Sequence, residues 1–420
     1  MHILFITDNF YPEGNAIASR VYERACYWVK WGHTVTVITS APNFPEGKLY
    51  AGYQNKWFQR ENLNGISVIR VKTFIQSNKG FFLRIVDFLS FMLPAFFVAL
   101  FQKKPGAIVA TSPQFFGAIA ACLASKCKRV PFFLELGDIW PASIVGVGAM
   151  KESIIIRILE KIELWLYRIS NKIIVVSPHF KDDLTKRGVS AEKIAIILNG
   201  VDLSKYAPKP KSQLVLKKYA VLENKFIIGY IGTHGMAHAL ENVLKTAEIL
   251  RNNSQIQFMF VGTGAEKEYL VLKAREMKLS NVIFIPAQSK ADISDYWSLC
   301  DIALVHFKNS PAFSSAVPSK IFEAMGMGLP IILSSPKGAA SDIIIGEKVG
   351  LCVLPENPDD LAAAVLKLYN DQELLLEYAK TSQLSAKNHT REAQAHYFLE
   401  AILIELGQQH LACSDQAQPE

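Results

Sequence analysis

The sequence predicts two α/β domains, each Rossmann-like with a parallel sheet, that face each other across a cleft. A C-terminal helix is predicted to cross back to the first domain. The chain has 420 residues, too many for one compact domain at about 100–200 residues each. Short apolar runs alternate with helical patterns, as in doubly wound sheets. Residues 201–219 are rich in lysine and proline and separate two such series, which is the composition of a hinge.

The first series of elements defines a domain over residues 1–200. Residues 2–7 form a continuous apolar run, which is typical of a central parallel strand. A loop over 8–15 and a helical pattern over 16–31 follow, and Gly32 ends that helix. The further strands are predicted at residues 34–39, 66–71, 107–110, 132–136 and 172–176.

The second series defines a domain over residues 201–385. Its strands are predicted at residues 226–231, 257–261, 282–285, 302–305, 330–333 and 350–353, and its clearest helices at 240–252 and 320–326. Residues 386–420 are predicted to hold the crossing helix, over 391–406, and a polar tail.

Composition and charge exclude several classes of protein and suggest a partner. Half the residues are apolar and 20% are charged, which excludes disordered, collagen-like and coiled-coil chains. Residues 1–200 hold 24 basic and 14 acidic side chains, a net of +10, while the remainder holds 21 and 24, a net of −3. The basic half is therefore expected to face a membrane surface or nucleic acid. No nucleic-acid-binding motif is visible, which favours the membrane.

Cysteine usage and the start of the chain bear on its location. The six cysteines show no metal-binding spacing, which predicts a reduced, cytoplasmic protein. The apolar run at 2–7 is too short for a signal peptide.

The most apolar segment is residues 81–101. Its uninterrupted part, 88–101, is shorter than the roughly 20 residues that span a bilayer. One interpretation is a buried helix pair. The other is a surface helix that dips into the lipid interface, flanked by basic residues that include Lys79, Lys103 and Lys104. Both hold if one side packs on the core and the other on lipid.

A glycine-containing turn follows the first strand of the second domain. Gly232, Thr233, His234 and Gly235 precede a helix and suit a diphosphate, although a plain turn would have the same composition. The next unit fails as a dinucleotide fingerprint, because Lys267 stands where a third glycine belongs. We interpret its Gly262 and Gly264 as a tight turn near a nucleotide. The absence of a complete dinucleotide fingerprint in this unit disfavours hydride transfer as the function.

The most informative segment is residues 317–330. Pro318 and Ser319 mark a helix start, and Lys320 and Glu323 share one helix face. A lysine in the first turn opposes the helix dipole, which is costly unless an anion lies there. Lys320 is thus a candidate for a phosphate and Glu323 for a sugar diol. A surface ion pair is the alternative.

Two places in the first domain are also candidates. Gly14 and Asn15 lie in the loop before the first helix, where backbone N–H groups are available to an anion, although such a turn is often purely structural. Glu135 and Asp138 lie at the end of a predicted strand, where a carboxylate faces the cleft and accepts a proton. Asp138 as a helix N-cap is the alternative.

Taken together, these segments resemble the family 4 retaining glycosyltransferases, which have the GT-B fold. The resemblance spans nearly the whole chain and is closest to the subgroup that builds O-antigen, capsule and colanic-type polysaccharides, including N-acetyl-fucosamine transferases. Its markers are FYPEGNAIASR at 10–20, PNFPEG at 42–47, DIWP at 138–141, NGVD at 199–202, GTHGMAHAL at 232–240 and PSKIFEAMGMGLP at 318–330.

The resemblance implies transfer of a sugar, N-acetyl-fucosamine or a related deoxy-amino sugar, from a UDP-linked donor to a lipid-linked saccharide. It implies that no metal and no cofactor is needed. It also implies a location on the inner face of the cell membrane, which the protein would contact through residues 81–104 and the basic residues of its first half. The catalytic candidates are Asp138, His234 and Lys320. The donor-binding candidates are Gly14, Asn15, Gly232, Thr233, Gly235, His238, Gly262, Gly264, Ser315, Pro318, Ser319 and Glu323.

Three residues depart from the family pattern. Ser315 stands where many members have a glutamate. Gly137 stands where members often have histidine or arginine before the aspartate of the acceptor-side motif. Met236 stands where a basic residue commonly follows the phosphate turn. His234 and His238 are expected to supply hydrogen-bond donors instead. Two other functions stay open: a nucleotide-sugar 2-epimerase of the same fold, and a non-catalytic scaffold of a polysaccharide assembly complex.

Overall fold

The computed structural model describes residues 1–44, 47–75, 81–112, 115–139 and 153–407. These residues form two compact units. The first contains the described residues up to Leu198 together with 391–407, and the second contains Asn199–Thr390. Of the sequence predictions, Pro45, Glu46, Lys79, Trp140, Pro141 and the tail from 408 onward lie outside the described residues.

The first unit is built on one sheet, which in the described chain has eight strands in the order β3-β4-β2-β1-β5-β6-β7-β8. Its strands are β1 His2–Ile6, β2 Thr34–Ser40, β3 Phe58–Leu63, β4 Ile66–Val71, β5 Ala107–Ser112, β6 Phe132–Leu136, β7 Lys172–Val175 and β8 Ile194–Ile196. Its helices are α1 Ala16–Lys30, α2 Phe81–Phe101, α3 Phe115–Lys128, α4 Ile154–Ile169, α5 Pro178–Lys186 and α14 Arg391–Glu405.

The sheet is parallel except for β3, which pairs antiparallel with β4. In β1, Ile3 pairs with Val35 on one side and Ala107 on the other. Strand β3 is not among the strands that the sequence predicts. It joins β4 through Asn64 and Gly65, both with positive φ, the residue pair that two-residue hairpins prefer.

Helices cover both faces of this sheet. Apolar residues of α2, α3, α4 and α5 form one core with the sheet, and residues of α1 and α14 form another on the opposite face. The C-terminal helix α14 therefore packs in the first unit. Its Ala395 carbonyl accepts a hydrogen bond of 2.9 Å from Trp28 Nε1, and Arg391 lies 2.9 Å from Glu23.

The apolar segment near residue 90 is one continuous helix, α2, which includes Pro94. It is not a helix pair. Phe91, Ala95 and Ala99 are buried against the sheet, four residues apart. A second row with the same spacing is exposed and contains Leu89, Leu93, Phe97 and Phe101. Within the described ranges, no helix is both long enough and apolar enough to cross a membrane.

The second unit has a sheet that contains, among the described residues, six parallel strands in the order β11-β10-β9-β12-β13-β14. The strands are β9 Phe226–Ile231, β10 Ile256–Val261, β11 Val282–Ile285, β12 Ile302–His306, β13 Ile331–Ser334 and β14 Gly350–Val353. The helices are α6 Gln213–Lys218, α7 Glu241–Ile249, α8 Lys267–Glu276, α9 Ile293–Trp297, α10 Lys320–Gly326, α11 Ala339–Gly346, α12 Pro358–Asn370 and α13 Gln372–Ala386.

This arrangement brings the ends of neighbouring strands together. Strand β9 is central, between β10 and β12, so the loops that follow these strands meet at one edge of the sheet. Two parallel-stranded α/β units agree with the predicted fold class. Every strand that the sequence predicts is present, with bounds that differ by at most two residues.

Candidate functional site

The turn after β9 is the centre of the candidate site in the second unit. Gly232 lies close to the side chain of Lys320, since a β-carbon at Gly232 would lie 2.7 Å from Lys320 Nζ. Thr233 is exposed, and its carbonyl accepts a hydrogen bond of 2.7 Å from the Tyr230 hydroxyl. The turn and the first residue of α10 therefore form one local structure.

Lys320 is a buried cation, with 9% of its surface exposed. Among the described residues its ammonium has no hydrogen-bond partner, and it lies 3.9 Å from the centroid of the Tyr230 ring. Burial lowers the pKa of Lys320 to about 7, while Glu323 acts in the opposite direction. An ammonium that has lost water without gaining a hydrogen-bond acceptor among the described residues is costly, so an anion at this position would stabilise it.

His238 and His306 hold each other through reciprocal hydrogen bonds. Nδ1 of His238 lies 3.1 Å from the His306 carbonyl, and Nδ1 of His306 lies 2.7 Å from the His238 carbonyl. Because a carbonyl only accepts, both Nδ1 atoms carry hydrogen. Nε2 of His306 lies 3.1 Å from the Asn242 amide nitrogen and accepts from it. His306 is thereby fixed as a neutral ring, and Nε2 of His238 is left as an acceptor.

The two rings stay neutral at ordinary pH. Burial, helped by the charge of Lys320, lowers the pKa of His238 to about 3 and that of His306 to about 4. The His238 ring lies 5.3 Å from the ring of Phe307 and 5.9 Å from that of Tyr230, centroid to centroid. His238 is therefore placed beside the Lys320 ammonium as a polar but uncharged group.

His234 is a predicted catalytic residue, expected to supply a hydrogen-bond donor. Its ring is fully buried and packs at about right angles to Phe260 and Phe284. Burial first, then the charges of Lys267 and Lys320, lowers the pKa of His234 to about 4. The ring is thus neutral at pH 7 and supplies no positive charge there. Its backbone belongs to the turn, because the His234 N–H donates to Thr263 O at 2.9 Å.

Gly262 and Gly264 pack against the turn. A β-carbon at Gly262 would lie 2.0 Å from the Gly232 carbonyl oxygen, and one at Gly264 would lie 2.3 Å from that of His234. Only glycine allows this close approach. Lys267 donates to the carbonyls of Gly262 and Ile285 at 2.6 and 3.1 Å. These glycines therefore shape the turn, and Lys267 stabilises the loop where the fingerprint would have a glycine.

The other residues predicted to bind the donor follow β12. Glu323 has a 12% exposed side chain, and its Oε1 lies 3.6 Å from Lys290 Nζ. This ion pair is the predicted alternative for Glu323, but it involves Lys290 and not Lys320. Ser315, Pro318 and Ser319 are half-buried in the loop before α10. The Ser319 side chain makes no capping hydrogen bond to that helix.

In the first unit the two predicted loop residues, Gly14 and Asn15, have different surroundings. Asn15 is the N-cap of α1 and accepts a hydrogen bond of 2.8 Å from the Ala18 N–H. Gly14 is exposed, with open space beside it. Glu13 was not predicted as a functional residue. It is buried and accepts from the N–H groups of Asn43 and Phe44 at 2.8 and 2.9 Å, and burial raises its pKa to about 7.

Asp138 and Glu135 occupy distinct environments at the end of β6. Asp138 is half-buried, and its carbonyl accepts a hydrogen bond of 3.3 Å from Ser112 Oγ. Glu135 is fully buried and contacts Arg20 and Arg24. Although burial would raise the pKa of Glu135, the two guanidinium groups hold it at about 2. Glu135 is therefore a structural carboxylate and not the proton acceptor that the sequence suggested.

Two family models match the two halves of the chain. Residues 17–205 match Glycosyltransferase Family 4, and residues 213–385 match Glycosyl transferases group 1. The chain belongs to these glycosyltransferases. The predicted resemblance to the family is confirmed, and the turn at Gly232 and helix α10 lie in the group 1 half of this glycosyltransferase.

Similar proteins agree with this assignment. The putative colanic acid biosynthesis glycosyl transferase WcaI of Escherichia coli is 25% identical over 407 residues, which cover 93% of this chain and 98% of WcaI. The N,N'-diacetylbacillosaminyl-diphospho-undecaprenol alpha-1,3-N-acetylgalactosaminyltransferase of Campylobacter jejuni is 21% identical over 66% of this chain and 72% of its own length.

Solved structures show the GT-B fold. Sucrose-phosphate synthase from Thermosynechococcus elongatus superposes with a TM-score of 0.77 at 17% identity, over 99% of this chain and 100% of its own. HepE of Anabaena in complex with UDP superposes with a TM-score of 0.67 at 16% identity, over 96% of this chain and 99% of its own. The predicted two-domain GT-B fold is thus confirmed.

Proposed function

We propose that this glycosyltransferase moves a sugar, with retention, from a UDP-linked donor to a lipid-linked saccharide in bacterial surface polysaccharide synthesis. The observation that carries the proposal is the Lys320 ammonium, buried beside Gly232 without a hydrogen-bond partner in the described chain. A diphosphate placed there would offset the cost of its burial. The name of WcaI supports polysaccharide synthesis as the pathway. The name of the Campylobacter transferase supports a lipid-linked acceptor, and the complex of HepE with UDP supports UDP as the nucleotide.

On this proposal, the second unit stabilises the leaving group. When the bond between the sugar and the diphosphate breaks, negative charge grows on the diphosphate. The Lys320 ammonium is fixed before the reaction and stabilises that charge. This cation takes the part that a metal ion has in other transferases, so we propose metal-independent transfer without a cofactor. Glu323 would bind the ribose, and the loop at Ser315–Ser319 would line a deoxy-amino sugar such as N-acetyl-fucosamine.

The first unit is proposed to bind the acceptor. Asp138 is half-buried and lies just after the end of β6, and it would orient the acceptor hydroxyl. The exposed row of α2, Leu89, Leu93, Phe97 and Phe101, would contact the membrane that carries the lipid-linked acceptor. Lys103 and Lys104 follow this row and are exposed, as in interfacial helices. The protein would then lie at the inner face of the cell membrane.

The proposal is tested by incubating the protein with UDP-sugars and an undecaprenyl-diphosphate-linked saccharide in chelator-treated buffer. We expect UDP release and a longer saccharide only when the donor and the acceptor are both present. The anomeric configuration of the product, read by NMR, should equal that of the donor. Epimerisation of the donor without acceptor would favour the epimerase alternative. Binding of UDP-sugars without any conversion across the panel would favour the scaffold.

The pKa of Lys320 predicts how nucleotide binding depends on pH. The diphosphate binds the cationic form, which predominates in the free protein below about pH 7. Above that pH, binding requires proton uptake, so UDP affinity should fall toward tenfold per pH unit. Calorimetric titration with UDP between pH 7 and 9 measures this slope. Lys320→Arg stays cationic and should flatten the profile, whereas a flat profile in the unmodified protein would contradict the assignment.

A further inference from the structure

Helix α4 of the first unit presents an exposed side with a regular composition. Ile154, Ile158, Lys161, Trp165 and Arg168 are exposed and follow one another at intervals of four, three, four and three residues. This spacing places all five on one side of a helix. We refer to these five residues as the α4 face.

The opposite side of α4 faces the protein core, so the α4 face is its outer side. Ile156, Leu159 and Leu166 are buried. The acidic residue of this inner side, Glu163, is also buried and lies 2.6 Å from Arg187. Burial of isoleucine and leucine on the inner side accounts for the packing of the helix. It does not account for Ile154, which is 70% exposed, or for Ile158, which is 51% exposed.

The charge of this surface is positive. Arg157 is exposed beside the α4 face, and the nearest acidic residue of the helix surface, Glu160, is half-buried. Helix α3, which contacts α4, adds Lys126, whose Nζ lies 5.4 Å from the centroid of the Trp165 ring. Isoleucines, a tryptophan and basic residues on one helix side are the composition of helices that lie in a lipid interface. Tryptophan prefers the headgroup level, and lysine and arginine attract anionic headgroups.

We propose that the α4 face is a docking surface for an anionic lipid bilayer. Charge complementarity selects this occupant over a second copy of the chain. A symmetric dimer through the same surface would bring Arg157, Lys161 and Arg168 against their own copies, which is repulsive. A bilayer with anionic lipids instead neutralises these charges and takes up the isoleucines and Trp165 at its interface.

This inference deepens the membrane location proposed above, which used only α2. Helix α3 contacts both α2 and α4, so the two exposed apolar surfaces belong to the same layer of the first unit. Two lipid-contacting helices would fix the orientation of the unit on the membrane, where one helix would leave it free to rotate. The α4 face would also make the protein prefer anionic lipids. Its basic residues are interspersed with its apolar residues, whereas Lys103 and Lys104 only follow the end of the exposed apolar row of α2.

The experiment is flotation of the full-length protein with vesicles of phosphatidylcholine alone or with phosphatidylglycerol. Two variants change the α4 face: Ile158→Glu, and Lys161→Glu combined with Arg168→Glu. Leu272→Glu is the matched control, since Leu272 is 57% exposed on α8 of the second unit. Phe97→Glu tests α2 separately. Thermal unfolding of each variant monitors folding, which these exposed positions should leave unchanged.

We expect the unmodified protein to bind vesicles with phosphatidylglycerol, and salt to weaken this binding. The variant with Lys161→Glu and Arg168→Glu should lose at least tenfold in partitioning, because it removes two basic charges that are each worth about fivefold near an anionic surface. Ile158→Glu should also weaken partitioning, because it replaces an apolar contact by a carboxylate that the anionic lipids repel. Leu272→Glu should bind normally. Normal binding of both α4 variants would overturn the inference while leaving the α2 contact intact. Failure of the unmodified protein to bind any vesicle would overturn both membrane contacts, that of α2 and that of the α4 face, without contradicting the proposed sugar transfer. A dimer that Ile158→Glu dissociates would show that the occupant is a second copy.

Discussion

Lys320→Met is expected to weaken UDP binding at pH 6.5 by roughly 30-fold or more, since losing one partner of a buried charge pair costs about 2–5 kcal/mol. The same change should leave the free energy of unfolding unchanged or raise it. In the free protein, the ammonium lies at the Tyr230 ring without a hydrogen-bond partner among the described residues. Methionine has a similar shape and removes that desolvated charge.

The opposite directions of the two effects separate a binding role from a structural one. Calorimetric titration with UDP gives the affinity, and urea denaturation gives the free energy of unfolding. Lys245→Met is the matched control, because Lys245 is an exposed lysine of the same unit that lies 3.6 Å from Glu241. It should change neither quantity appreciably. Unchanged UDP affinity in Lys320→Met would remove Lys320 from the proposed diphosphate site.

The sequence predicted the parallel strands because central strands are continuous apolar runs, as in Phe226–Ile231. It missed β3, Phe58–Leu63, because an edge strand is solvated and its residues are largely polar. The adjacent Asn64 and Gly65, both with positive φ, are the residues from which that hairpin could have been predicted. Composition alone also left α2 ambiguous between one helix and two. Its exposed and buried rows are distinguishable only once the helix is placed against the sheet.

For the candidate site, local spacing predicted Lys320 and Glu323 because one helix turn relates them. It failed for His306, which is hydrogen-bonded to His238 and Asn242 across 68 and 64 residues of sequence. These residues come together through the pairing of β12 with β9. The direction in which a side chain points also could not be predicted from the sequence. His234 lies in the predicted turn, but its ring points among Phe260 and Phe284.

Glu135→Ala is expected to destabilise the first unit by about 3–5 kcal/mol, because it leaves buried guanidinium charge uncompensated. Glu135 is 1% exposed. Arg20 Nε lies 2.8 Å from its Oε1, and both terminal nitrogens of Arg24 donate to it at 3.0 and 2.7 Å. These contacts join α1 to β6, the strand that ends just before Asp138. Loss of the carboxylate should therefore disturb the proposed acceptor side as well as the fold.

The pKa of Glu135 gives this prediction a pH dependence with a definite sign. The folded-state pKa, about 2, is below the ordinary value of 4.5. The carboxylate therefore contributes stability that is complete above about pH 5 and is lost as pH falls toward 2. Urea denaturation at pH 7 and pH 4, followed by fluorescence, should show a smaller gap between the unmodified protein and Glu135→Ala at the lower pH. Asp183→Ala is the control, since Asp183 is exposed and lies 3.9 Å from Arg187. Equal stability of Glu135→Ala and the unmodified protein at pH 7 would show that the Arg20 and Arg24 contacts do not stabilise this unit.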